Sequence, residues 1–195
     1  MIQRGTSSGL RQAASETEAE LQRATAAINL GRPEDGERFA RNVLAGIPQH
    51  PKALYLLGRA LLQQNRAAQA VAPLERAARA LQDPAVETQL GIALREIGRT
   101  DDALSRLRRA TKRRPAHPEA FHELGLLLSS LGRADEAVTA VEHGFQLAPG
   151  ASNCRSCSAS FTTVDATMRK PRPLFRRRSR LRPTIRARTT AWARS

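Results

Sequence analysis

The feature that most constrains this chain is a turn that returns at nearly constant spacing. Leu30-Gly31-Arg32, Gln64-Asn65-Arg66, Ile97-Gly98-Arg99 and Leu131-Gly132-Arg133 stand 34, 33 and 34 residues apart. Such a chain is a stack of like units, each of which buries its apolar faces on its neighbours because it cannot bury them alone. The unit from Pro84 to Pro115 is the clearest. Val86, Leu90, Ala93, Leu94 and Ile97 fall at helical spacing, and Ala103, Leu104, Leu107 and Ala110 do so again, which predicts two helices with one apolar face each. Gly98 lies between them, where a helix ends and positive φ is favoured. Thr100 is expected to cap the second helix, with Asp101 and Asp102 in its positively polarised first turn. Asn65 replaces Gly in the second turn, and Asn is the other residue that tolerates the left-handed conformation.

Further positions keep the same step. Gly58, Gly91 and Gly125 stand in the first helices, preceded by Leu57, Leu90 and Leu124 and followed by Leu61, Leu94 and Leu128. Glycine inside a helix costs about 1 kcal/mol relative to alanine, so its recurrence predicts a close approach of the second helix. There Ala70, Ala103 and Ala137 recur as the facing small residues, with Leu74, Leu107 and Val141 four positions on. Pro48, Pro115 and Pro149 close units, and Pro51, Pro84 and Pro118 open them.

This pattern resembles the tetratricopeptide repeat, specifically over 51–149 and more loosely over 17–50, where Ala24 and Gly36 exchange the expected Gly and Ala. Leu54 and Phe121 take the place of the family's Trp, but Glu87 stands there in the third unit, a departure expected to weaken packing. The resemblance implies an all-α fold, a right-handed α-α solenoid with units at about 17–50, 51–83, 84–117 and 118–149. It also implies a scaffold or adaptor whose first helices line a groove for a peptide or partner helix. The positions carried over are Tyr55, Leu56, Arg59, Leu62 and Gln63; Thr88, Gln89, Ile92, Arg95 and Glu96; and His122, Glu123, Leu126, Ser129 and Ser130. Leu21, Thr25, Tyr55 and Arg59 do not reproduce the Lys/Asn/Arg clamp of chaperone-binding members, which argues against a cochaperone role.

Charge divides the chain. Of the net +14, residues 1–149 contribute 20 basic and 17 acidic side chains, and residues 150–195 contribute 12 and one. Only 6 of the last 46 residues are Leu, Ile, Val or Phe, so a disordered Arg-rich tail is expected after Pro149. That tail supports salt-sensitive contact with nucleic acid or with an anionic membrane surface. The abrupt loss of the repeat also fits out-of-frame translation, leaving the N-terminal repeats of a larger bacterial protein such as a repeat-containing transferase. Residues 1–16 read as a loose leader without the apolar core of a secretory signal, and no stretch is long and apolar enough to span a membrane. A cytoplasmic protein is expected.

No catalytic set, cofactor or metal is expected. Cys154 and Cys157 have the spacing of half a zinc site without a second pair, and His50, His117, His122 and His143 are scattered. No phosphate loop or nucleophile elbow occurs. Six basic residues crowd into Arg106–Arg114, at 106, 108, 109, 112, 113 and 114. They read as a solvated face complementing a helix C-terminus, with an acidic partner or nucleic acid as the alternative. Val138, Val141 and Phe145 form a stripe on the last helix that is expected to stay partly exposed, loosening the fourth hairpin and favouring a homodimer.

Overall fold

The repeating turns set the register of every helix. The computed structural model describes residues 5–147, with side chains from residue 14 onward. Eight α-helices occupy the described residues: α1 (Gly5–Asn29), α2 (Pro33–Gly46), α3 (Pro51–Gln63), α4 (Ala67–Ala80), α5 (Pro84–Glu96), α6 (Thr100–Lys112), α7 (Pro118–Ser130) and α8 (Ala134–Leu147). Odd-numbered helices are the first (A) helices of the four expected units, and even-numbered ones the second (B) helices. Helix α1 reaches back to Gly5, whereas the sequence reading placed order only from Thr17. The physical reason is cooperativity: once Leu21, Ala24 and Ile28 are buried, the helix extends by one hydrogen bond per residue without a new nucleation cost. The tail, with its expected disorder and its two cysteines, lies outside the described residues.

All four turns close the same way. The φ angles of Gly31, Asn65, Gly98 and Gly132 are 72°, 59°, 81° and 73°. In the third turn Gly98 N–H donates to the Arg95 carbonyl at 3.0 Å and Arg99 N–H to the Leu94 carbonyl at 2.9 Å, and the other three turns carry the same pair of bonds. This is the Schellman arrangement, which satisfies carbonyls that a helix end leaves open. The arginine after each turn then grips the first turn of the B helix. Arg32 pairs with Asp35 at 2.6 Å, Arg99 with Asp102 at 2.7 Å and Arg133 with Glu136 at 2.6 Å, while Arg66 donates to Gln69. Thr100 is therefore not the cap. Because the Schellman bond ends on Arg99, the chain enters α6 at once, Arg99 takes the cap position, and the Thr100 hydroxyl donates back to the Gly98 carbonyl at 3.3 Å.

Prolines open α2, α3, α5 and α7 at their first turn. The α3 end is capped by His50 Nδ1, which accepts from Ala53 N–H at 3.3 Å, and the α5 end by Asp83, which accepts from Ala85 N–H at 2.8 Å.

Within each hairpin the close approach has a definite partner. A Cβ built on Gly58 would lie 2.4 Å from Leu74 Cγ, on Gly91 2.7 Å from Leu107 Cγ, and on Gly125 2.5 Å from Val141 Cγ2. The glycine is thus a hole for the branched side chain of the B helix. The expected facing alanines, Ala70, Ala103 and Ala137, are buried beside it but are not the residues that fill it. In the first hairpin the direction reverses. The hole is Gly36 on α2, whose Cβ would lie 2.5 Å from Ile28 Cγ1 on α1, and the usual knob position is reduced to the buried Ala40. The Ala24/Gly36 exchange therefore preserves the register that it obscured in sequence.

Between hairpins, Leu21, Ala24, Ile28, Ala40 and Val43 share one apolar cluster with Ala53, Leu56 and Ala60 of α3. A second cluster runs from Leu54 to Ala140. Gly125→Leu is expected to lower stability by about 1–3 kcal/mol or more through overpacking against Val141. Gly132→Ala, in open space at positive φ, should cost on the order of 1 kcal/mol. Chemical denaturation of the two variants checks the order, and equal midpoints would remove the close-contact argument.

Candidate partner-binding groove

The A helices α1, α3, α5 and α7 lie side by side, and the faces they share carry the residues singled out from sequence. Three of these are core rather than groove. Leu56 is 2% exposed, Leu62 9% and Thr88 0%. Leu56 shares a face with Ala53 and Ala60 and packs into the first cluster, and the Thr88 hydroxyl donates to the Pro84 carbonyl at 2.7 Å. Tyr55, Arg59, Gln89, Ile92, Arg95, His122, Glu123, Leu126 and Ser129 are half-buried, and Gln63, Glu96 and Ser130 are exposed.

Polar contacts cross from helix to helix along this face. Lys52 meets Glu18 at 3.2 Å, Arg59 donates to Asn29 Oδ1 at 3.4 Å, Gln89 to Glu119 at 3.5 Å, and Arg95 pairs with Glu123 at 3.3 Å. The Arg59 guanidinium also lies 5.7 Å over the Tyr55 ring, a cation–π arrangement that holds both side chains. Desolvation perturbs three groups. Burial outweighs the nearby Arg59 charge and pushes the Tyr55 phenol up from 10.0. Burial pushes His122 below 6.5, against the pull of Glu119, and pushes Glu123 above 4.5, against the pull of Arg95. Ile92 and Leu126 give the same face a partly buried apolar centre.

The basic cluster of α6 is largely engaged in holding the stack. Glu87 is 1% exposed and lies 3.3 Å from both Arg106 Nη1 and Arg109 Nε. The residue in the aromatic position is thus a carboxylate buried between two arginines, where the sequence reading expected only weakened packing. Arg108 reaches Glu136 at 3.3 Å, and Arg113 donates to the Gln82 carbonyl at 3.0 Å. An open depression of about 580 Å³ along α6 is lined by Arg108, Arg109, Lys112 and Arg113 with Asp101. A second buried carboxylate, Glu37, was not marked by the sequence reading. It accepts from Gln64 at 2.8 Å and Arg66 at 2.9 Å across the first unit boundary, and pairs with Arg41 at 2.6 Å. Its signal was an acid at a B-helix position taken by Val71, Leu104 and Val138 in the other units. Among the described residues no group of three His, Cys, Asp or Glu could hold a metal ion, and no helix is long and apolar enough to cross a membrane.

The sequence profile of the family described as Tetratricopeptide repeat matches residues 21–84 and 88–151. Among solved structures, the chain is similar to MamA (20% identity, 78% of this chain and 90% of that one, TM-score 0.59). It is also similar to a thermophilic TPR protein of Thermus thermophilus (20% identity, 80% and 85%, TM-score 0.66). PilF of Pseudomonas aeruginosa aligns at 19% identity over 79% of this chain and 69% of its own, with TM-score 0.67. At these identities the likeness concerns the fold. No curated protein sequence matches the chain.

Two measurements follow from the geometry. In an NMR titration Glu123 should protonate above 4.5 and His122 below 6.5. The signs oppose each other. The native state holds the Glu123 proton more tightly than the unfolded chain, so that group's contribution is favourable in acid and is lost as pH rises past 4.5. His122 resists protonation when folded, so its contribution improves as pH rises to 6.5. For the buried carboxylate, Glu87→Ala should cost about 1–3 kcal/mol, since it leaves a cavity and ends the Arg106 and Arg109 contacts. Glu87→Phe should match or exceed the parent, because Arg106 and Arg109 keep 34% and 57% exposure and can resolvate. Denaturant midpoints of both variants decide this.

Proposed function

The chain belongs to the tetratricopeptide-repeat family, and on that premise we propose that it is a protein-interaction scaffold that holds a peptide or partner helix on the face of its A helices. The observation carrying this reading is the row Tyr55, Arg59, Ile92, Arg95, His122, Glu123 and Leu126, half-buried and spread over three successive A helices. A surface with an apolar centre and flanking donors and acceptors suits a side-chain-bearing segment. Ile92 and Leu126 supply area to be desolvated, while Gln89, Arg95, Glu96 and Glu123 supply orientation. Arg59 and Tyr55 are already fixed against each other, which lowers the ordering cost of binding. The family's role as a protein-binding module points the same way, and the identity of the partner is a matter for experiment.

The test is selection of peptides from a displayed library on the full chain, followed by affinity measurement. Ile92→Glu and Leu126→Glu should each weaken the selected peptides by roughly tenfold or more, about 1.4 kcal/mol per decade, while Lys112→Ala on the exposed face of α6 should leave them unchanged. Peptides that lose affinity with Lys112→Ala and keep it with both groove variants would overturn the reading.

A further inference from the structure

The outer faces of the first and last described helices are register equivalents of faces that are buried or half-buried inside the array. On α8, Phe145 stands one, two and three units after Thr111, Ala78 and Leu44, and Val138 one and two units after Leu104 and Val71. Ala78 belongs to the core cluster that spans the inner unit boundaries, and Leu44, Val71 and Leu104 pack against it. On α8 the same face is more open: Phe145 is 58% exposed, and Val138 is half-buried. At the other end, Ala19, Gln22 and Ala26 of α1 stand one unit before Ala53, Leu56 and Ala60. Those α3 residues are 0%, 2% and 0% exposed and share a cluster with Ala40 and Val43 of α2. On α1 Gln22 and Ala26 are exposed.

We propose that the chain associates head to tail, with α1 of a second copy seated on α8 of the first in the place an A helix takes inside the array. The occupant follows from the register. The α1 face has the small-residue spacing of the α3 face that docks on a B helix, and the α8 face has the bulky stripe on which an A helix docks. The contact is heterologous, so each copy keeps one free face of each kind and growth does not stop at two. One unit junction is small for a stable interface, which makes the association reversible and concentration-dependent.

Sedimentation of the full chain across concentration tests this. The weight-average mass should rise past that of a dimer without reaching a plateau there. Phe145→Asp and Ala26→Arg, both on exposed positions, should each weaken association by roughly a hundredfold and leave the helical circular dichroism unchanged. An equimolar mixture of the two variants should form a dimer and stop, since each retains the face the other has lost. Gln22→Arg repeats the α1 test should Ala26→Arg disturb folding. A mass that stays monomeric at every concentration overturns the proposal. So does association that Phe145→Asp abolishes but both α1 variants leave intact, which marks an α8-to-α8 contact.

Discussion

The architecture depends on one contact made in each hairpin, a branched side chain seated in a hole left by glycine. Without that hole the two helices could not come within the distance at which Leu74 and Leu107 become fully buried. A glycine in mid-helix costs about 1 kcal/mol, and full burial of a leucine contributes about 1.5–3 kcal/mol, so the exchange favours the hairpin. The requirement is for a hole and a knob, and either helix can supply either part. The first hairpin takes the knob Ile28 from α1 and the hole Gly36 from α2, yet keeps the spacing of the others.

Apolar clusters join the hairpins to one another, and a few polar groups of low exposure add directional ties between elements. Glu37 crosses the first unit boundary to Gln64 and Arg66, and Glu87 links α5 to α6 through Arg106 and Arg109. Glu37 stands where the other three units carry Val71, Leu104 and Val138, and Glu87 where the second and fourth units carry Leu54 and Phe121. Such a site loses hydrophobic burial and gains directional contacts, and it is tolerated because its arginines stay in reach of water. The arginine crowd on α6 is in this light mostly intramolecular. Arg106, Arg108, Arg109 and Arg113 all have partners within the fold.

What the sequence determined by itself is local and periodic. The positive-φ turns at Gly31, Asn65, Gly98 and Gly132, the order of the helices between them and the glycine holes follow from constraints that act within a few residues or repeat at a fixed step. The periodicity did not distinguish Leu56, Leu62 and Thr88, which are buried, from Tyr55 and Arg59, which stay half-buried. All lie on one broad side of an A helix, and only the angle between stacked units decides which of them water reaches. The cap at Arg99 was decided by the exit geometry of the preceding turn, not by the preference of Thr100. The fates of Glu37 and Glu87 likewise belonged to the tertiary structure. Whether a carboxylate at an apolar position weakens packing or anchors it depends, Arg41 beside Glu37 apart, on guanidinium groups 19–29 residues away in sequence, and nothing short of the folded stack brings those together.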